Sequence, residues 1–240
     1  MSRVLLFSGG GDYTDPWHPF AATSAIVADL LGDDGHEVEV VDRLDALAAA
    51  ITGADLLVVN AGGGDEPHRL DDRLCGILDR YHGPLLALHV SATLLPTAPE
   101  WERLIGGRWV RGRSMHPPRG PLRVKVVDDR EVGAGSLGAG SVPRSALVDD
   151  LGPLETVDEA YTWLRVGAEA DVLLVHERDG TRHPLCWIVD DGDRRRAFDA
   201  LGHDAEAYEA PLARELVRRL VRWLVEENAS RLHCSGESRA

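Results

Sequence analysis

Four short apolar runs, at 4–8, 37–42, 55–61 and 84–90, alternate with three longer stretches, 20–31, 44–51 and 70–81, whose apolar positions recur at helical spacing. The runs predict strands and the periodic stretches predict amphipathic helices. Each helical stretch has a glycine at or near its end (Gly32, Gly53, Gly83), the residue type that closes a helix most cheaply. Leu56-Leu57-Val58-Val59 and Leu85-Leu86-Ala87-Leu88 show no polar alternation. Such strands are buried on both faces, as in a parallel sheet covered by helices. The pattern therefore predicts an α/β fold: a doubly wound, mostly parallel open sheet with helices on both faces.

The later chain adds fewer regular elements. Residues 103–154 mix Gly, Pro and Arg around one strand at 122–127 and predict a loop-rich insertion lying over the sheet. Runs at 171–176 and 184–189 flank Asp179-Gly180, a strong hairpin signal. A final strand is expected at 195–201, then a helix over 211–227 with Leu212, Leu216, Leu220 and Leu224 on one stripe. Residues 1–229 form one domain in this reading, and 230–240 a frayed polar tail.

Composition narrows the class. Lys and Arg number 26 against 40 Asp and Glu, a net charge of −14, which repels phosphate backbones and anionic lipid. Nucleic acid and membrane are thus not expected as partners, and a homo-oligomer stays open. The Arg194-Arg195-Arg196 run, flanked by Asp191, Asp193 and Asp199, reads as a solvated turn. The first apolar run is too short for a signal-peptide core, so a cytoplasmic location is expected. Three cysteines at wide spacing, Cys75, Cys186 and Cys234, argue against a disulfide framework or a cysteine zinc site.

Candidate chemistry sits at element boundaries. His203 follows the last predicted strand in Ala200-Leu201-Gly202-His203-Asp204-Ala205-Glu206-Ala207-Tyr208, and His89 ends the fourth apolar run. Open α/β sheets bind ligands at such strand exits. His116-Pro117 and His183-Pro184 add two more imidazoles, and Asp158-Glu159-Ala160-Tyr161 a carboxylate and a phenol. Imidazoles serve as general acids and bases, as donors to hydroxyls, or as metal ligands. Zinc on His89, His116, His183 and His203 stays open, though no histidine pair has helical i, i+4 spacing. Ser8-Gly9-Gly10-Gly11 lacks the spacing and lysine of a phosphate loop and reads as a tight turn that lets a ligand approach the backbone. No G-x-S-x-G elbow occurs, and Ser91 lacks the flanking glycines such a strained turn needs.

Taken in order, these segments resemble the ThuA family, the trehalose-utilisation-like proteins of class I glutamine amidotransferase-like, flavodoxin-like fold. Val4-Leu5-Leu6-Phe7-Ser8-Gly9-Gly10 resembles the family's first strand and turn, and Leu88-His89-Val90-Ser91-Ala92-Thr93 its I-H-A-A-T segment. Ser114-Met115-His116-Pro117 is similar to its S-H-P, Asp158-Glu159-Ala160-Tyr161 to its D-E-x-Y, and His183-Pro184-Leu185-Cys186-Trp187 to its H-P-x-x-W. The His203 segment resembles its A-L-G-H-x-x-E-x-Y.

The resemblance implies a role in carbohydrate metabolism, on a disaccharide such as trehalose or a keto-sugar derivative. It places His89 where amidotransferases carry their cysteine, which removes the thiolate that forms an acyl intermediate. On this reading His89, Glu159 and His203 are the catalytic candidates. Gly10, His18, His116, Tyr161, His183 and Glu206 contact the substrate, with Trp17, Trp163 or Trp187 available as a stacking face. No cofactor is required, although a divalent metal stays open. Two alternatives accompany this reading: a non-catalytic sugar-binding protein and a metal-dependent hydrolase.

Overall fold

Uninterrupted apolar strands can only be placed inside a sheet that helices cover, and the chain builds this arrangement. The computed structural model describes residues 1–63, 66–127 and 144–236. Strands β1 (Arg3–Ser8), β2 (Glu37–Val41), β3 (Leu56–Asn60) and β4 (Leu85–Leu88) alternate with helices α1 (Phe20–Asp33), α2 (Leu44–Ala50) and α3 (Asp71–Leu78). After α4 (Pro99–Ile105) come β5 (Gly107–Arg108), β6 (Gly120–Arg123), β7 (Lys125–Val126) and α5 (Arg144–Val148). Then follow β8 (Glu155–Asp158), β9 (Arg165–Val166), β10 (Asp171–Arg178), β11 (Thr181–Asp190), β12 (Arg195–Asp199) and α6 (Pro211–Gly236).

The main sheet has the order β2-β1-β3-β4-β12-β11-β10-β7. Its first five strands are mutually parallel, and β11, β10 and β7 extend it with antiparallel pairings. The mostly parallel, doubly wound α/β sheet predicted above is thus the fold. β3 and β4 are buried at every position, as their lack of alternation requires, and β12 is buried throughout as well, its Arg195, Arg196 and Asp199 included. Right-handed crossovers put α1 on one face, where it meets α6, and α2 with α3 on the other. Because β1 leads left to β2 while β3 and β4 build rightward, the strand order reverses beside β1. That reversal opens a crevice at the strands' carboxyl ends.

The hairpin reading of Asp179-Gly180 holds, with φ of 51° and 73° at the two turn residues, as a type I′ turn demands. Other expectations need correction. The strand expected at 122–127 breaks at Val124: β6 pairs with β8 in a separate ribbon, whereas β7 joins β10 in the main sheet. Residues 128–143 of the expected insertion lie outside the described residues.

The Arg194-Arg195-Arg196 run is not a solvated turn. Arg195 and Arg196 open β12 and are buried. Arg195 pairs with Asp190 at 3.1 Å, donates to the Trp223 carbonyl at 3.0 Å and lies over the Trp223 ring. A cation buried in this way is tolerated because it is paired and hydrogen-bonded. Helix α6 also runs past residue 227, so 230–236 of the expected tail are helical, and 237–240 lie outside the described residues. Among the described residues, no helix is long and apolar enough to cross a membrane.

Trp187 joins the antiparallel extension to the parallel half. Its indole is fully buried, stacks on Phe198 of β12 at 4.2 Å and donates to the Ile105 carbonyl at 2.7 Å. Trp187→Ala should therefore cost about 3–5 kcal/mol, by emptying a large cavity and orphaning a buried carbonyl. Urea unfolding followed by circular dichroism measures it as a lowered midpoint at similar slope.

Candidate functional site

Four strand exits meet in the crevice beside β1. At the end of β4 the chain turns abruptly: His89 takes φ of 44°, a left-handed conformation that costs a non-glycine residue energy. Its ring helps to hold it there, because Nδ1 donates to the Ala200 carbonyl, beyond the end of β12, at 2.6 Å. The turn needs no glycine of its own. It needs Gly62 after β3, where any Cβ would lie 2.5 Å from Val90.

Beyond β12, Gly202 adopts φ of 107° and packs too closely on Tyr208 to carry a side chain, which aims the following His203 into the crevice. Asp158, the last residue of β8, fixes this turn. Its carboxylate accepts the backbone N–H groups of Gly202 at 2.7 Å, His203 at 3.3 Å and Glu159 at 2.8 Å. The next residue, Glu159, is thereby placed against His203.

The loop after β1 delivers the third imidazole. Asp15 accepts the Trp17 and His18 N–H groups at 2.8 and 2.9 Å and also binds His18 Nδ1 at 2.8 and 2.9 Å. The His18, His89 and His203 rings stand 5.0–5.4 Å apart, centroid to centroid. Glu159 Oε2 lies 3.4 Å from both His89 Nε2 and His203 Nδ1, and its Oε1 lies 3.5 Å from His116 Nδ1. Tyr161 Oη donates to His89 Nε2 at 3.0 Å.

Above this floor opens a cleft of about 600 Å³, walled by Trp17, Trp109, Thr93 and Gly63. Trp17 is largely exposed at its rim.

Burial would raise the Glu159 carboxyl, but His203 and His89 outweigh it and hold it well below the usual carboxylate range. Glu159 in turn raises the His203 imidazolium against the pull of desolvation. His18 moves the other way: burial lowers it, with His89 and His203 adding to the effect and Asp15 opposing it. Burial also pushes the Tyr161 phenol far above its ordinary range, so it remains a hydrogen-bond donor. The floor thus combines a firmly ionised carboxylate with imidazoles of divergent proton affinity, a combination suited to acid–base work or to holding a cation.

A family sequence pattern described as trehalose utilisation, ThuA, matches residues 3–224. The chain belongs to the ThuA family. A carbohydrate-related role of the trehalose-utilisation type comes with that membership. Two solved structures of ThuA-like proteins share the fold. That of Parabacteroides merdae aligns with a TM-score of 0.67 at 18% identity, over 94% of this chain and 90% of the other. That of Bacteroides uniformis aligns with a TM-score of 0.66 at 13% identity, over 94% and 92%. A Thermoplasma acidophilum protein named for a subunit of GMP synthase aligns with a TM-score of 0.56 at 15% identity, over 99% and 98%, which places the fold among the amidotransferase-like ones. A search of curated proteins found no match.

Of the residues singled out by the ThuA resemblance, His18, His89, His116, Glu159, Tyr161 and His203 come together in the cleft. Three do not. Gly10 is an exposed turn residue outside the cleft lining. Glu206 faces another groove and pairs with Arg119 at 2.6 Å. His183 lies within β11, not at an element boundary; its Nδ1 accepts the Trp163 N–H at 3.3 Å and its ring packs on His176. The zinc set of His89, His116, His183 and His203 is therefore not the one the fold assembles.

Of the three tryptophans offered as stacking faces, only Trp17 lines the cleft, while Trp187 is core. Sequence reasoning missed Asp15 and Trp109, and gave Asp158, though part of the Asp158-Glu159-Ala160-Tyr161 segment, no role of its own. The Asp15-Pro16 pair carried a turn signal that could have pointed to the first.

Asp199, at the end of β12, is fully buried and accepts the Leu201 N–H at 3.0 Å. Burial raises its carboxyl to about 8, with Asp158 adding to the effect. A folded value above the unfolded one, about 3.9, means the native state holds a proton that the unfolded chain releases. That stabilisation is complete below the unfolded value and is lost as the pH rises through about 8. Asp199→Asn should flatten the fall in melting temperature between acidic and mildly alkaline pH, read by differential scanning fluorimetry across a buffer series.

Proposed function

We propose that the protein acts on a small carbohydrate, a disaccharide such as trehalose or a keto-sugar derivative, held in the cleft with its reacting oxygen against His89, Glu159 and His203. One observation carries this reading: three imidazoles and an ionised carboxylate converge at the floor of a cleft whose walls include two indoles, Trp17 and Trp109. A sugar ring offers apolar C–H faces to such walls and hydroxyl or carbonyl oxygens to such a floor. The cleft's volume of about 600 Å³ accommodates a ligand of that size. His116, at the side of Glu159, is positioned to contact a second hydroxyl.

The same geometry speaks against an amidotransferase reaction. The left-handed turn after β4 presents an imidazole, and among the described residues no cysteine lines the cleft: Cys186 is interior to β11 and Cys75 lies on α3. No thiolate is at hand to carry an acyl group.

Trehalose and its 3-keto derivative, titrated separately, should raise the melting temperature with the logarithm of their excess over Kd. Trp17→Ala should weaken that binding about tenfold, the equivalent of one lost stacking contact. His203→Ala should abolish conversion of the sugar followed by NMR. Absence of any shift with either sugar would overturn the reading.

A further inference from the structure

The described donors on the cleft floor do not satisfy one another. His18 Nε2 and His203 Nδ1 are buried and have no hydrogen-bond partner among the described residues. Glu159 Oε2 sits 3.4 Å from two imidazole nitrogens, too long for the charge-assisted hydrogen bonds of about 2.8 Å that such pairs form on contact. A separation of about 3.4 Å is instead the ligand–ligand edge around a tetrahedral ion with bonds of 2.0–2.1 Å.

We propose that His18 Nε2, His89 Nε2, His203 Nδ1 and a Glu159 carboxylate oxygen bind one divalent transition-metal ion of the zinc class. The four side chains supply donor atoms that all lie within 4.8 Å of one another. Three imidazoles and one carboxylate suit zinc and similar borderline ions better than magnesium or calcium.

The surrounding groups are those that prepare a metal ligand. Asp15 takes the Nδ1 hydrogen of His18, and the Ala200 carbonyl takes that of His89, so each ring turns an Nε2 lone pair to the centre. Glu159, with Asp15 behind His18, supplies the negative charge a dication requires. Entry of the ion displaces one hydrogen bond, the one from Tyr161 to His89 Nε2. The ligands are nearly buried from every side but the cleft, so a further coordination position faces the ligand space. An oxygen of the sugar would occupy that position, a consequence that rests on the carbohydrate reading; ion binding itself does not.

The test uses chelator-treated full-length protein and Zn²⁺ alone, by isothermal titration, with Co²⁺ as an optical probe. The expected result is one saturable equivalent, with intense visible bands for Co²⁺ in a low-symmetry site. Glu159→Gln and His203→Ala should each lower the affinity at least about 100-fold. The exposed-site control His82→Gln should bind like the wild type. Circular dichroism of each variant verifies folding, and His18→Gln replaces any variant that fails it. Several weak equivalents, no saturation, or unchanged affinity in the cleft variants would overturn the proposal. Repeating the sugar titrations on metal-free and zinc-loaded protein separates the two readings. A sugar shift without zinc uptake removes only the metal site, whereas zinc uptake without a sugar shift removes only the carbohydrate reading.

Discussion

The carboxylate of Asp158 is the contact on which the site depends. It is buried at the end of β8, and burial raises its proton affinity and so penalises its charged form. His89 and three backbone N–H groups, from Gly202, Glu159 and His203, offset part of that penalty. Two of these bonds join segments 44 residues or more apart in the chain. They also fix the two backbones that carry the anion and one imidazole of the cleft floor. His89 and His18 have ties of their own, to the Ala200 carbonyl and to Asp15, but the β8–β12 junction alone sets two of the floor's groups at once.

Much of the fold was legible because burial on both faces leaves an unmistakable signature in β3 and β4, and because Asp179-Gly180 suits only a few turns. Legibility failed where partners decide the outcome. Arg195 reads as surface beside so many aspartates. Its burial depends on Asp190 and the Trp223 carbonyl, which the sheet and α6 supply from elsewhere. Residues 122–127 read as one strand, yet its two halves serve different sheets, which only pairing can reveal.

The site was legible in its histidines at strand exits, since an imidazole placed there points into the crevice. His183 failed that logic because β11 continues through it, beyond its pairing with β12, and carries the ring to His176 instead. Glu206 failed because it faces another groove, where it pairs with Arg119. Asp158 stood in the Asp158-Glu159-Ala160-Tyr161 segment and Asp15 beside a proline, yet the role of each was hidden. Both act through backbone N–H groups, and those partners appear only once the chain is folded.

The outermost strand of the parallel half carries a further consequence. β2 presents Glu37 and Glu39 along the rim of the sheet, with Glu39 tethered to Arg3 at 3.0 Å. An unprotected rim of this length is a template on which another chain can zip, the first step toward fibrillar clumping. Two copies brought rim to rim would set acidic rows against each other in a protein that already carries a net charge of −14. The acidic pair on β2, the most exposed strand of the parallel half, thus also opposes the stitching together of copies in concentrated solution.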